Sequence, residues 1–313
     1  MSQASSTRAG PEPHSRPARA RPLLPPGLVL VVAVAAISWA GPLVRFATAP
    51  ALAIAAWRLI FSVVAVLLIL AVRSRGAGLP RLTLTEWLLC LAAGVFLAAH
   101  FWSWIASLGL TSVASSVVLV NTAPLFVAFL SAAVLREPPG RRVWLGIVVA
   151  IVGAAVIGWG DWGRGRAPLA GDALAVAGAV FVSGYYVLGR RLRQRLDLWT
   201  YTAIVYGAAA VVLAVVAAAT PEVAMTGYPL RDWLIFLALA LGPMLLGHTG
   251  INYALRYVPA YVANLAALGE PVGATLIAWL WPALGEAPPV QTVVGGALIL
   301  LGIGLGVRGR GDS

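Results

Sequence analysis

Lysine is missing from this chain: all 22 basic residues are arginine, set against only 11 acidic ones. Without a lysine amine there is no Schiff-base site for a retinal-type chromophore. A Walker A loop needs its lysine to reach the phosphates, so the chain is not by itself an ATP-driven pump. Cysteine is almost absent as well. Cys90 stands alone, which excludes an intrachain disulfide and a cysteine-based metal site. The three histidines are too few for a histidine metal cluster. Charge of either sign is scarce: 11% of residues are charged, against about 25% in ordinary soluble domains. A soluble enzyme of this length would lack the polar surface it needs.

What fills the chain instead is apolar. Hydrophobic residues make up 60%, and the mean hydropathy is +0.90. A membrane-crossing helix takes roughly 20 residues, so the 313 residues accommodate ten spans joined by short loops. The expected spans are 27–46, 50–72, 87–108, 113–135, 143–160, 169–188, 199–219, 233–255, 260–284 and 290–307. They are helices, because the bilayer core satisfies no open backbone groups and a barrel would alternate rather than run continuously apolar. Residues 1–26, rich in Ser, Pro, Ala and Arg, read as a disordered cytoplasmic tail. The run after them lacks a small-residue cleavage site and reads as the first span, not as a signal peptide.

The arginines set the orientation. With the N-terminus inside, 17 fall in inner segments, whereas Arg164, Arg166 and Arg231 alone fall in outer loops. The positive-inside rule then puts both termini in the cytoplasm. The net charge of +11 therefore belongs to membrane topology, and no nucleic-acid partner is expected.

The chain repeats itself. Leu135-Arg136-Glu137-Pro138-Pro139 resembles Leu284-Gly285-Glu286-Ala287-Pro288, and Gly146 and Gly153 follow the first glutamate at the spacing with which Gly295 and Gly302 follow the second. Pro124 and Pro271, and His100 and His248, keep nearly the same offset. That offset corresponds to five spans. Five is odd, so the second copy is inverted in the membrane, and the arginines agree: three follow span 4 and none follows span 9. The units are a first repeat at 27–160 and a second at 169–307. Inverted repeats build secondary transporters, with the site near the midplane between the halves.

Ten spans in a five-plus-five arrangement resemble the drug/metabolite transporter superfamily, in its EamA-like branch. The words that carry the resemblance are Ser38-Trp39, Trp57-Arg58, Asn121-Thr122-Ala123-Pro124 through Leu135-Arg136-Glu137 with Gly146, and Glu270-Pro271 through Gly285-Glu286 with Gly295. The resemblance implies export of amino acids or other small metabolites; related branches carry nucleotide sugars, purines or phosphorylated sugars.

Ionisable residues inside spans are costly and mark candidate sites. Arg45 lies near the outer end of span 1 and can snorkel. Arg58 lies about 12 Å deep in span 2 and needs a partner: a carboxylate, carbonyls freed at a kink, or a substrate carboxylate. Glu270, beside Pro271, is the one carboxylate in the middle third of any span. It is either the group that loads and releases a proton in an antiporter or half of a static pair with Arg58. His100 and His248 are repeat mates and are expected to line a shared cavity. Phe96, His100 and Trp104 share one helix face, as do Met244, His248, Asn252 and Arg256. Ser38, Trp39, Asn121, Ser183 and Asn264 complete the candidate cavity; Asn121 also stands where it can cap groups freed by Pro124. Pro124 and Pro271 are candidate helix kinks. The glycine pairs of spans 5 and 10 are packing faces.

No catalytic residue, metal or cofactor is expected: the chain has no His-Glu-x-x-His helix, no Gly-x-Ser-x-Gly elbow and no paired intramembrane aspartates. The reading is an all-α transporter of the inner (plasma) membrane. It exports a small, partly apolar metabolite such as an amino acid by alternating access, with proton antiport as the candidate coupling. An importer, or a multidrug or nucleotide-sugar-type exchanger of the same fold, is the alternative, and a membrane sensor or scaffold the non-transport one. A single deep arginine is poor equipment for a doubly charged phosphate. Partners are the small-molecule substrate and the lipid bilayer, with a homodimer left open.

Overall fold

A computed structural model describes residues 22–74, 81–111, 113–159, 166–280 and 290–309. Most of the expected tail and the Gly285-Glu286 word of the repeat lie outside the described residues. Among the described residues, ten helical stretches are long and apolar enough to cross a bilayer. Span 1 is Pro26–Phe46, span 2 Ala51–Arg73, span 3 Leu84–Leu108, span 4 Ser115–Leu135 and span 5 Arg141–Gly158. Span 6 is Pro168–Arg193, span 7 Leu198–Ala218, span 8 Leu230–Ala254, span 9 Ala260–Ile277 and span 10 Val290–Arg308.

Local chemistry moves the ends from where hydropathy puts them. Span 3 starts earlier because Thr83 and Glu86 form a reciprocal capping box that satisfies orphan amides of the first turn. Asp197 caps span 7 by accepting from the amides of Trp199 and Thr200. Span 6 runs on to Arg193, whose guanidinium donates to the carbonyl of Asn252 at 3.0 Å and to that of Leu196.

The bundle is two inverted five-span repeats, and equivalent spans meet each other. Span 2 packs on span 7, span 4 on span 9 and span 5 on span 10, while span 3 packs on span 6 as span 8 packs on span 1. Hydrocarbon lipid gives apolar helices no reason to associate, so close backbone approach has to do it. Spans 5 and 10 show this: a methyl group at Gly146 would sit 2.5 Å from the carbonyl oxygen of Gly302, and one at Gly153 2.6 Å from that of Gly295.

Among the described residues, three spans are broken. Span 1 splits into Pro26–Ile37 and Ala40–Phe46 around Ser38-Trp39. The helix of span 4, which begins two residues ahead of the apolar stretch, splits into Val113–Val120 and Ala123–Leu130, and that of span 9, which runs three residues past it, into Ala260–Ala267 and Glu270–Leu280. Pro124 and Pro271 stand in the first turn of the second pieces, where a missing N–H costs no helix bond. The expected kinks are thus full interruptions in spans 4 and 9. The break in span 1 and two π-helical stretches have no counterpart in the sequence: span 4 ends π-helical over Ser131–Leu135, and span 8 is π-helical over Ala240–His248, a stretch that contains Pro243.

Candidate functional site

The breaks in spans 4 and 9 border one central cavity, which the break in span 1 also reaches. Its volume is about 60 Å³, room for a few waters and far below the ~300–1,000 Å³ that encloses a drug-sized ligand. Arg58, His100, His248, Asn121, Asn264 and Glu270 supply its polar lining, and Phe101, Trp104 and Tyr186 its aromatic walls. Pro124 also borders it.

Helix geometry explains why these groups converge. The half-helices that begin at Ala123 and Glu270 start at the cavity. Their first amides lack helical acceptors, so each presents a partial positive charge to the space. The Glu270 carboxylate stands at such an N-terminus. Ser183 and Ser38 hold the two breaks in the same way. Ser183 Oγ donates to the carbonyl of Ala179 in its own helix at 2.6 Å and stands 3.1 Å from that of Ala123, and Ser38 Oγ donates to the carbonyl of Val34 at 2.8 Å and stands 3.3 Å from that of Glu270. These serines are repeat mates acting on repeat-equivalent carbonyls. They are buried, stand outside the cavity lining, and serve the breaks.

Arg58 is fully buried on span 2. Its guanidinium carbon lies 4.0 Å from the centroid of the Phe101 ring, a cation–π contact. Its Nε and Nη1 have no acceptor among the described residues, and no ion pair closes between Arg58 and Glu270 although both line the cavity. The static pair is not formed in this conformation. The arginine rests on an aromatic face instead.

His100 and His248 share the cavity, with ring centroids 6.4 Å apart. His100 Nδ1 pairs with the carbonyl oxygen of Gly178 at 2.9 Å, and its ring is stacked with that of Trp104. His248 packs edge-on against Phe101 and stacks on Tyr186. Phe96 lies one turn away against Phe181. Trp102 is lipid-exposed and belongs to the outer surface.

Asn252 is not in the cavity lining. Its Nδ2 donates to the hydroxyls of Tyr185 and Tyr206, and Tyr206 in turn pairs with Thr249. Asn252 is thereby held in a polar knot one turn past His248. Trp39 is half-buried at the break in span 1, also outside the lining, as is Pro271. Phe101 and Tyr186 were absent from the sequence candidates; the nearby candidates His100 and Ser183 were the only signal, and choosing between faces took the packing of spans 3 and 6.

Unsatisfied polar atoms concentrate here. Among the described residues, nine buried side-chain nitrogens and oxygens lack a hydrogen-bond partner, and six belong to cavity-lining Arg58, Trp104, Asn121, His248 and Asn264. Buried polar atoms are normally paired because leaving them unpaired is costly. A cluster of orphans around one space is therefore a mark of a ligand site.

Polar contacts tie the spans together at both ends of the bundle. At the Arg-rich end, Arg190 of span 6 pairs with Glu137 beyond span 4 at 2.8 Å and donates to the carbonyls of Leu255 and Arg256 beyond span 8. At the other end, buried Asp232 of span 8 accepts from Thr48 Oγ1 at 2.7 Å, and Asp172 of span 6 from Thr111 Oγ1 at 2.8 Å.

Comparison with known proteins agrees with this architecture. The profile of the EamA-like transporter family matches residues 26–159 and again residues 169–308. The chain is 26% identical over 211 residues to the uncharacterized transporter YdfC of Bacillus subtilis, covering 66% of this chain and 67% of that one. An uncharacterized transporter of Archaeoglobus fulgidus is 28% identical over 271 residues, covering 85% and 91%. The pseudopaline exporter CntI of Pseudomonas aeruginosa is 28% identical over 260 residues, covering 82% and 85%. A solved crystal structure, 21% identical, superposes with a TM-score of 0.74 over 91% of this chain and 98% of its own.

Proposed function

This chain belongs to the EamA-like transporter family, and from that premise we propose that it exports a small, partly apolar zwitterion of amino-acid type in exchange for protons. The chain is a multi-pass membrane transporter of a small molecule; the substrate class, direction and coupling are our reading. The observation that carries the reading is the set of unpaired polar groups on one cavity, with Arg58 and Glu270 both present and not closed on each other. Arg58 and the two half-helix N-termini suit a substrate carboxylate. Glu270 suits either the substrate ammonium or a proton, and competition between these two is what exchange requires. Phe101, Trp104 and Tyr186 supply apolar and aromatic surface for the remainder of the molecule. A single guanidinium is a weak match to a dianionic phosphate. The exporter direction is supported by the similarity to a pseudopaline exporter.

Residues 27–160 and 169–307 form the two repeats, which move against each other about the cavity. The space as it stands is too small for such a substrate, so this conformer corresponds to a closed state that must open toward one side to load. The protein resides in the inner membrane with both termini cytoplasmic on the arginine distribution.

Reconstituted vesicles test the coupling. Glu270→Gln is expected to abolish uptake driven by a pH gradient while leaving folding and substrate binding measurable. If the variant transports with an unchanged pH dependence, Glu270 is structural and coupling passes to His100 or His248.

A further inference from the structure

A second and larger concavity lies on the outside of the bundle, at the Arg-rich end. It is bounded by spans 1, 2, 7 and 8 and measures about 800 Å³, a size that takes a drug-sized or lipid-sized molecule. It shares no lining residue with the central cavity. Spans 1 and 8 seal the two apart: a methyl group added at Gly247 would touch Ile37 at 2.5 Å, and one at Gly250 would touch Ala33 at 3.0 Å. The groove is therefore off the substrate path in this conformation.

Its lining is divided along the membrane normal. One stretch is aliphatic, formed by Leu28, Val32, Leu70, Leu245 and Leu246. Leu28, Val32 and Leu246 are 57%, 48% and 56% exposed, and in a ten-span protein that surface faces acyl chains. The other stretch gathers Arg73, Arg193 and Arg256 from the ends of spans 2, 6 and 8, with Trp199, Tyr253 and Tyr257 beside them. One carboxylate, Asp197, lines the same groove, and it is engaged in capping span 7. Arg193 is buried and pinned by the carbonyls of Asn252 and Leu196, so one of the positive charges is fixed in place.

We infer that this groove is a binding site for an anionic phospholipid of the surrounding leaflet, with its phosphodiester headgroup among Arg73, Arg193 and Arg256 and an acyl chain along Leu28, Val32 and Leu246. Charge complementarity selects the headgroup, and basic pockets between spans with interfacial aromatics are how membrane proteins hold such lipids. The aliphatic wall requires an amphiphile: a soluble anion would leave it uncovered, and a zwitterionic lipid would leave the arginine cluster without net counter-charge.

The test uses the purified full-length protein in a neutral detergent, titrated with phosphatidylglycerol, with phosphatidylcholine of the same chains, and with inorganic phosphate. Thermal unfolding and native mass spectrometry are the readouts. Phosphatidylglycerol is expected to raise the unfolding midpoint and to remain bound, phosphatidylcholine to do so much less, and phosphate not at all. Removing one arginine near a headgroup weakens binding about 5-fold, so Arg73→Gln/Arg256→Gln is expected to weaken phosphatidylglycerol about 30-fold and to leave phosphatidylcholine unchanged. Arg73 is exposed, so Arg73→Gln alone provides the smaller loss should the double variant fold poorly. Val32→Trp fills the aliphatic wall and is expected to reduce retention of lipid. Equal effects of the two lipids, full replacement by phosphate, or undiminished phosphatidylglycerol binding in the arginine variants would each overturn the assignment.

Discussion

The junction at Arg190 offers the most direct way to perturb the proposed closed state. Its guanidinium makes three contacts with the Glu137 carboxylate, at 2.8, 3.2 and 3.2 Å, and two with the carbonyls of Leu255 and Arg256, at 2.8 and 3.1 Å. One side chain thus ties the ends of spans 4, 6 and 8, which the opening of the cavity toward the Arg-rich end would have to separate. Arg190 and Glu137 keep 13% and 32% of their side-chain surface, so the ion pair alone contributes no more than about 1 kcal/mol. The bonds from a charged donor to two carbonyls add about 1.5 kcal/mol. Arg190→Ala should therefore cost the closed state about 2–3 kcal/mol and shift its balance with the open one by roughly 30- to 150-fold. A cysteine placed at Val120, which lines the cavity, reports this in a Cys90→Ser background through its labelling rate with a small maleimide. Arg190→Ala should raise that rate steeply. Glu137→Gln should raise it less, and the double variant no further than Arg190→Ala, since both act on one contact. Labelling that stays at the parent rate in Arg190→Ala, with only the unfolding midpoint lowered, would show that the junction supports the fold without holding the cavity closed.

Further expectations concern packing, capping and topology. Gly302→Ala puts a methyl group 2.5 Å from the Gly146 carbonyl oxygen and should cost about 1–3 kcal/mol by overpacking, read as a lower unfolding midpoint, whereas Gly304→Ala, with nothing within 4 Å of the added methyl, should be neutral. Thr48→Val removes the hydroxyl that donates to buried Asp232 at 2.7 Å and should cost about 1–3 kcal/mol; Thr48→Ser should retain most of the stability in the same melt. A reporter fused after Arg310 should read as cytoplasmic and one inserted at Gly163 as external, and reversal of either would defeat the orientation drawn from the arginines.

Composition and spacing alone determined the architecture of this protein. A chain that is 60% hydrophobic with 11% charge can only fold in a bilayer, and there backbone satisfaction forces each apolar run into a helix. The offset between Pro124 and Pro271, and between the glycine pairs of spans 5 and 10, revealed the repeat because both copies meet the same constraint: a break that must border the cavity, and a close approach that admits no side chain. Arg58, Glu270, His100 and His248 were legible for a related reason, since ionisable groups that deep are otherwise selected against. Only the tertiary structure decided which polar groups face the space. Ser38 and Ser183 look like cavity residues in the sequence, yet their hydroxyls are held by the carbonyls of Val34 and Ala179 in their own helices, beside those of Glu270 and Ala123. Asn252, on the same apparent stripe as His248, is drawn to Tyr185 and Tyr206, and the π-helical turn around Pro243 leaves no periodic mark. Phe101 and Tyr186 enter the wall through the packing of spans 3 and 6. Helical periodicity fixes which residues share a face, but the partner that covers that face comes from elements far away in the chain. Burial, orphaned donors and the separation of Arg58 from Glu270 are properties of that meeting.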